Sequence, residues 1–545
     1  MEIIIPAAKI VPEELQKIGK LPAIIYPINQ EIVFDFLWKQ YNDVSSKIHV
    51  LCYEKADKVH RRLASYPKEQ VTIVDLPELK DLGHTIWYGI KEVENPIIIN
   101  FADTIVEDNI FITDSDCFFY SEDYLSEMWT YFEEQDGTIN SIIDKTSCAD
   151  KDEKKHKLFV GVFQIVNTQY FRLCLEQAFE DETKNVSSFY KAVMEYSKKY
   201  PMTALKTNNW FDIGHIDKYY NSKLEVQARE FNHISIDKNR GILKKVSDDK
   251  DKFIGEIKWY LKLPSDVEYV RPRIFDYSTS YMKPYISMEY YAYHTVHELF
   301  LYGDLTRQQW IDIFERIRFV CDDFSRYTVI DNNIQSALEE MYLTKTLQRF
   351  EKIKNDNKFS AFFKLPIKVN GKKYMSLDKI IVRLKEIIPK MLYDVDKFSI
   401  IHGDLCFANI MVDPNFSFIK VIDPRGKFGT YDIYGDRRYE LAKLFHSVDG
   451  KYDFIIKDLF ELKYDCQKAQ IDYRIQDRKR EFDLYKVFSE TFKEEIGKDL
   501  KKIELIEALL FLSMIPLHGE SIKHQMVMLA TGMEILNRVI TIEEE

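Results

Sequence analysis

The sequence predicts an α/β protein in two parts. Residues 1–225 read as a mixed, mostly parallel sheet covered by helices on both faces, and residues 226–545 as a small β-rich lobe (226–298) followed by a large helical lobe (299–545). Three observations carry this prediction. Short apolar runs alternate with amphipathic stretches over the first part. A hairpin pattern opens the second part, and from about residue 296 the pattern is mainly helical to the end. A length of 545 residues suits two to four domains of ordinary size.

The elements follow in order. EIIIPAA, beginning at Glu2, is a buried-strand pattern. Residues 32–41 have helical spacing, with Val33, Phe36, Leu37 and Tyr41 on one face. KIHVLCY, VTIVDL, PIIINFAD and GVFQIVN read as further strands. Residues 146–157 are polar and charged and read as a loop, and residues 185–199 read as a helix. In the second part, FNHISID and ILKKVS flank a turn containing Asn239 and Gly241, the mark of a β-hairpin. DKFIGEIKWYLKL reads as a helix with Phe253, Ile257, Tyr260 and Leu261 on one side, and RIFDYS and YISMEYY as strands. Residues 399–426 are the exception within the helical lobe, two short apolar strands with polar residues between them.

Composition excludes several classes. Apolar residues are 46% and charged residues 30%, ordinary for a folded chain. Lys plus Arg is 76 against 88 for Asp plus Glu, a net charge of −12, which argues against a general nucleic-acid binder. Seven Cys stand singly with no C-x-x-C pair, so reduced thiols in a cytoplasm are expected and not a disulfide framework. The N-terminus has no basic region or cleavage site of a secretory signal. The longest apolar stretch, residues 508–517, is broken by Ser513 and Pro516 and is far below the roughly 20 residues of a membrane span.

The strongest constellation is His402-Gly403-Asp404 with Asn409 five residues on and Ile422-Asp423 fourteen residues after the Asn. Phosphoryl transfer needs a carboxylate facing the acceptor hydroxyl, and a carbonyl oxygen and second carboxylate to hold magnesium over the donor phosphates. Asp404 suits the first role, Asn409 and Asp423 the second. His402 reads as a loop brace and Cys406 as a bystander thiol. This H-G-D-x4-N and I-D pattern resembles the aminoglycoside phosphotransferase and choline kinase family. The resemblance covers about residues 228–545 and implies a two-lobed, protein-kinase-like fold with ATP and Mg2+. It implies that Lys245, on the second hairpin strand with Ser247 two residues on, grips the donor phosphates and pairs with Glu256. Its neighbour Lys244 would point to the opposite face. Glu289, in Met288-Glu289-Tyr290-Tyr291, falls at the expected adenine hinge. GDRRYELAKL resembles the family's G-D-x3-D/E-L-A-K-L segment, with Asp436 as a helix cap.

Three segments of the first part resemble the sugar-nucleotide pyrophosphorylases. IIIPAA matches the opening strand. Ala102-Asp103-Thr104 matches the G-D-T/A at the end of the central strand. Trp210-Phe211-Asp212-Ile213-Gly214 matches the late W-x-D-I-G segment. The resemblance implies a Rossmann-like, GT-A-like mixed-sheet nucleotidyltransferase domain in which Asp103 and Asp212 hold magnesium, and a second NTP, CTP or UTP. The family's glycine-rich loop is replaced by Ala8-Lys9-Ile10-Val11-Pro12, so Lys9 or Lys20 is expected to meet the triphosphate. Both resemblances together imply a bifunctional cytoplasmic enzyme. Its kinase part would phosphorylate a sugar, polyol or amino alcohol, and its transferase part would activate that phosphate, as in enzymes that feed capsule or lipopolysaccharide synthesis. The partners expected are this small acceptor and nucleotides. The alternative is a kinase alone with a non-catalytic N-terminal binding domain.

Overall fold

In this computed structural model the Ile-rich N-terminal run is the central strand of a nine-stranded sheet. The structure describes residues 1–108, 114–123, 128–145, 155–181, 186–215, 218–220, 222–223, 234–237, 239–477 and 480–543. The chain divides into two compact units, Met1–Gln227 with Tyr302–Asp304, and Ala228–Leu301 with Leu305–Glu545.

In the first unit, β1 (Glu2–Ala7) pairs in parallel with β2 (Lys47–Cys52) on one side and β4 (Ile97–Asn100) on the other, and β3 (Val71–Asp75) extends the parallel set beyond β2. Ile3, Ile4 and Ile5 are fully buried, because both faces of this sheet are covered. The pairing of β1 with β4 stops at Ile4, opposite Ile99. Pro6, which has no N–H to donate, lies just beyond, and the carboxyl ends of the two strands part there. β9 (His156–Ile165) runs antiparallel to β4 and joins it to the rest of the sheet, β6 (Cys117–Asp123), β7 (Thr130–Gln135), β8 (Thr138–Asp144) and β10 (Thr203–Lys206). The short pair β5 (Thr104–Val106) and β11 (Trp210–Asp212) sets Asp212 opposite Thr104. Helices Leu82–Ile90, Thr168–Phe179 and Ser188–Lys199 cover a core that includes Ile86, Phe118, Phe163, Phe171 and Phe189.

In the second unit, β12 (Ile234–Asp237), β13 (Ile242–Lys245), β15 (Tyr285–Glu289) and β14 (Ile274–Ser278) form an antiparallel sheet in that order. Helix Lys250–Lys262 follows β13, its N-terminus capped by Asp249, which accepts the Lys252 N–H at 3.3 Å. Farther on, β16 (Phe398–Ile400) leads into the 402–409 loop. The hairpin of β17 (Ile410–Val412) and β18 (Ile419–Val421) pairs Ile410 with Val421. Asn409 and Ile422 are thereby neighbours, and the Ile422 N–H donates to the Asn409 carbonyl at 3.0 Å. Helices Arg307–Ser325, Lys345–Lys354, Leu377–Leu392, Arg437–Val448, Leu500–Met514 and Ile522–Val539 supply much of the remainder.

Four expectations need correction. In helix Val33–Tyr41 the buried face is Val33, Phe34, Leu37 and Tyr41, and Phe36 is only half-buried. In Lys250–Lys262, Leu261 is 36% exposed while Glu256 and Trp259 are buried. The 146–157 loop gives way to strand at His156, and residues 146–154 lie outside the described residues, as do Asn185, Phe231, Asn232, His233 and Lys238. The helical region is interrupted by a second four-stranded sheet, Lys372–Tyr374, Ile367–Val369, Gln470–Ile475 and Phe460–Asp465. Its hairpin alternates side-chain character in FELKYD and QIDYRI, a period-two signal overlooked amid the helical patterns.

Candidate active sites

The 402–409 loop of the second unit is pinned from three sides. His402 is fully buried, and burial pushes its pKa down to about 4, so it is neutral at physiological pH. Its Nε2 lies 2.9 Å from the Ile422 carbonyl and its Nδ1 3.3 Å from the Asp404 backbone N, which assigns Nε2–H as donor and Nδ1 as acceptor. The backbone N–H groups of His402 and Gly403 donate to the two carboxylate oxygens of buried Glu440 at 2.7 and 2.8 Å. The Trp259 indole N–H donates to the Ile401 carbonyl at 2.7 Å.

This frame presents Asp404, whose Oδ1 is 2.8 Å from Lys443 Nζ. Burial works against the charge on Asp404, but the Lys443 ammonium outweighs it and draws the carboxyl down to about 2. Asn409 Nδ2 donates to the Asp404 carbonyl at 2.8 Å and to Asp404 Oδ2 at 3.3 Å, which leaves its amide oxygen as the end that could meet a cation. Asp423 follows the hairpin in a left-handed conformation, φ 57°, and its N–H donates to the Tyr260 hydroxyl at 3.0 Å. Its Oδ1 lies 2.7 Å from Lys245 Nζ, which also donates to Glu256 at 2.8 Å. Burial opposes the charge on Lys245, but Asp423 and Glu256 more than offset it and raise its pKa. Burial, with Asp423 near, pushes Glu256 up to about 7. Gly426 is required where it stands: a Cβ there would come 2.2 Å from the Gly255 carbonyl, on the turn that carries Glu256.

Lys245, Glu256, Asp404, Asn409 and Asp423 line one cleft of about 1220 Å³. Lys244 points away, exposed, over the Tyr285 ring at 4.3 Å. Glu289 is not brought to this cleft; it accepts the Tyr291 hydroxyl at 2.7 Å at the end of β15. Asp436 caps helix Arg437–Val448, accepting the Arg438 N–H at 2.9 Å. Glu440 and Lys443 were within reach of sequence reasoning, in the GDRRYELAKL segment, but carried no assigned role. Lys345, Arg349 and Arg425, which also line the cleft, had no signal beyond their charge.

The first unit has its own cavity of about 590 Å³ at the carboxyl ends of β1 and β4, lined by Lys9, Asp103, Lys145, Gly214 and His215 among others. Asp103 and Asp212 both face Gly214. A Cβ on Gly214 would lie 2.7 Å from Asp103 Oδ2 and 3.2 Å from Asp212 Oδ1, so only glycine fits between them. Burial, and then the Asp212 carboxylate, push Asp103 up to about 6. Asp212 accepts from the Gly214 N–H at 2.7 Å and the Trp129 indole N–H at 3.0 Å, and its Oδ2 is 2.6 Å from His215 Nδ1. That bond raises the His215 pKa, against burial. Buried Asp212 and half-buried Asp103, both set against one glycine, fit a divalent cation. Lys9 reaches this cavity. Lys20 does not line it; its carbonyl accepts from Lys58 Nζ at 3.1 Å. The loop that replaces the glycines uses its amides internally: the Ile10 N–H donates to Glu54 at 3.0 Å and the Val11 N–H to the Leu21 carbonyl at 2.9 Å.

No protein-family model matches the chain, and no curated protein matches it. Among solved structures it is similar, in its N-terminal part, to HddC from Yersinia pseudotuberculosis complexed with GMP-PN, at 17% identity and TM-score 0.32 over 41% of this chain and 99% of that one. It is similar to the CTP:phosphocholine cytidylyltransferase LicC from Streptococcus pneumoniae at 15% identity and TM-score 0.34, over 42% and 98%. The inositol-1-phosphate CTP transferase from T. maritima matches at 12% identity and TM-score 0.34, over 42% and 96%. Similarity this low leaves substrate and activity to be argued from the residues. Among the described residues no helix is long and apolar enough to cross a membrane.

Proposed function

We propose that the chain is a bifunctional enzyme. Its second unit is an ATP-dependent small-molecule kinase of two-lobed, protein-kinase-like form, and its first unit is a nucleotidyltransferase that activates the kinase's product. The observation that carries the kinase reading is the meeting of Lys245, Glu256, Asp404, Asn409 and Asp423, separated by up to 178 residues, in one cleft. Asn409 and Asp423 would hold magnesium, which supplies neutralisation of the donor phosphates. Lys245, positioned by Glu256, binds the α- and β-phosphates. Asp404 orients the acceptor hydroxyl and takes its proton as that oxygen bonds to the γ-phosphorus and ADP departs. Lys443 keeps Asp404 ionised. In the first unit Asp103 and Asp212 would hold the metal, and Lys9 and Lys145 offer charge to the triphosphate. The phosphate made by the kinase then attacks an NTP α-phosphorus and pyrophosphate leaves. CTP or UTP is the expected second nucleotide, and a building block for surface glycans, made in the cytoplasm, is the expected product.

The test is ADP release from Mg·ATP by the full chain with a panel of sugars, polyols and amino alcohols, followed by pyrophosphate release when CTP, UTP, GTP or dTTP is added. ADP release that depends on acceptor and disappears in Asp404→Asn supports the kinase. A second reading, a kinase with a non-catalytic first unit, is favoured by the Ile10 and Val11 amides being already bonded within the protein. Kinase turnover with no pyrophosphate from any NTP would select it.

A further inference from the structure

The acceptor end of the second unit's cleft is cationic. Lys345 and Arg349, one turn apart on helix Lys345–Lys354, share a face, and Arg425 and Lys443 line the same cleft beside Asp404. Among the described residues, only Lys443 of these four cations has a carboxylate partner there, Asp404 at 2.8 Å. Arg425 donates to the Tyr439 hydroxyl at 2.7 Å, a neutral group. Arg349 Nη1 is buried with no hydrogen-bond partner among the described residues. Neither Lys345 nor Arg349 forms an ion pair among the described residues. A buried guanidinium N–H without an acceptor is costly, and like charges gathered without counter-ions repel.

The cluster belongs to Asp404 and not to the donor end. The Arg425 backbone N–H donates to the His402 carbonyl at 2.9 Å, in the loop that presents Asp404, and Arg425 and Lys443 both lie over the Tyr439 ring, whereas Lys245 pairs with Asp423 and Glu256. Burial and the surrounding cations push Lys345 down to about 6, and an anion bound beside it would restore its charge. Of the other carboxylates of the cleft, Asp423 and Glu256 pair with Lys245, Asp249 caps a helix, Asp432 pairs with Lys262, and Asp251 is exposed on the first turn of helix Lys250–Lys262.

Resting on the kinase reading, we propose that the acceptor carries an oxyanion, a phosphate or a carboxylate, in addition to the hydroxyl it presents to Asp404, and that Lys345, Arg349 and Arg425 bind that oxyanion. This sets the site against polycationic acceptors of the aminoglycoside type, which this cluster would repel. It also defines the reaction sequence: the preceding step must deliver an acceptor that is already phosphorylated or carboxylated.

The experiment is a ligand-observed NMR titration of the full chain, saturated with Mg·AMP-PNP, with methyl phosphate, acetate and ethanolamine in separate arms. Saturable binding of methyl phosphate alone identifies a phosphate, and of acetate a carboxylate; ethanolamine is expected not to bind. Arg349→Gln should weaken the bound anion about tenfold or more, the scale of a charge-assisted hydrogen bond, while AMP-PNP affinity moves less than twofold. Lys345→Met is the second variant, with the same expectation, and Arg349→Lys should retain part of the affinity. If neither anion binds saturably, or if ethanolamine binds best, the inference fails. It fails also if the loss in Arg349→Gln falls on AMP-PNP, which would give these cations to the γ-phosphate. Failure of AMP-PNP to bind the wild-type chain would overturn the kinase reading itself and is seen separately.

Discussion

Glu440 holds the loop that presents Asp404, and replacing it with Gln separates its two acceptor oxygens. At present each oxygen takes one backbone N–H, from His402 at 2.7 Å and Gly403 at 2.8 Å. A glutamine offers one carbonyl oxygen and turns an NH2 toward the second amide, so one buried N–H loses its acceptor. That loss costs about 1–3 kcal/mol. Burial resists the charge of Glu440 and pushes its carboxyl up to about 7, so a neutral glutamine relieves part of the strain and the low end, about 1 kcal/mol, is expected. Local opening of the 401–409 loop should then be about fivefold more frequent, read as faster amide hydrogen exchange in peptides from that segment. Asp404 follows Gly403 directly, and a displacement near 1 Å lowers kcat by about 10²-fold. Mg·AMP-PNP affinity should stay within about twofold, because Lys245 and Asp423 are held by other groups. Exchange and kcat both at wild-type values would refute the reasoning.

Lys443→Met removes the largest charge that holds Asp404 down, so its carboxyl should rise from about 2; the acid limb of kcat/KM moves to higher pH, and an unmoved limb contradicts the pair. In the wild type the depressed Asp404 carboxyl adds stability that is present above pH 3.8 and lost as pH falls through about 2; with the side chain 40% exposed, screening holds it to about 1 kcal/mol. Asp423→Ala should weaken Mg·ATP binding while leaving acceptor affinity unchanged, which calorimetry with and without magnesium decides. Gly214→Ala places a methyl 2.7 Å from Asp103 Oδ2 and should stop pyrophosphate release without touching ADP release; equal loss of both would mean that the variant harms the whole chain.

The parts of the sites that sequence made legible are those fixed by local chain geometry. In His402 to Asp423, a five-residue interval and a short hairpin suffice to bring Asp404, Asn409 and Asp423 together, and both are written in the spacing. Because adjacent strand residues face opposite ways, only one of Lys244 and Lys245 could enter the cleft; the resemblance, through Ser247, pointed to Lys245, and the structure has Lys244 exposed over Tyr285. Glu440 and Lys443 act through tertiary packing of helix Arg437–Val448, and Lys345, Arg349 and Arg425 through the convergence of elements with no fixed sequence offset. Amphipathic spacing also misassigned Phe36 and Leu261, because it gives a face but not its edges, and it hid the 460–475 hairpin inside helical surroundings.

On the proposed reading, the two units differ in how they would meet a nucleotide's phosphates. In the second, charge is placed by side chains that the fold holds rigidly: Lys245 between two carboxylates, and Lys443 on Asp404. In the first, the loop after β1 has no glycine between Ala8 and Pro12, and the Ile10 and Val11 amides are spent on Glu54 and Leu21. Pro12 has no N–H at all. The backbone cradle that a triphosphate uses in glycine-rich loops is therefore not offered by these three residues. What remains at the mouth is exposed side-chain charge, Lys9 and Lys145. Such charge is screened by salt and ordered only at an entropic cost, so it gives weaker and less directional binding than fixed amides. The paired carboxylates behind it close on Gly214 and leave no room for a Cβ there. If the first unit turns over, its selectivity must then come from the phosphate monoester and the carboxylate pair, with the triphosphate held by loosely placed lysines.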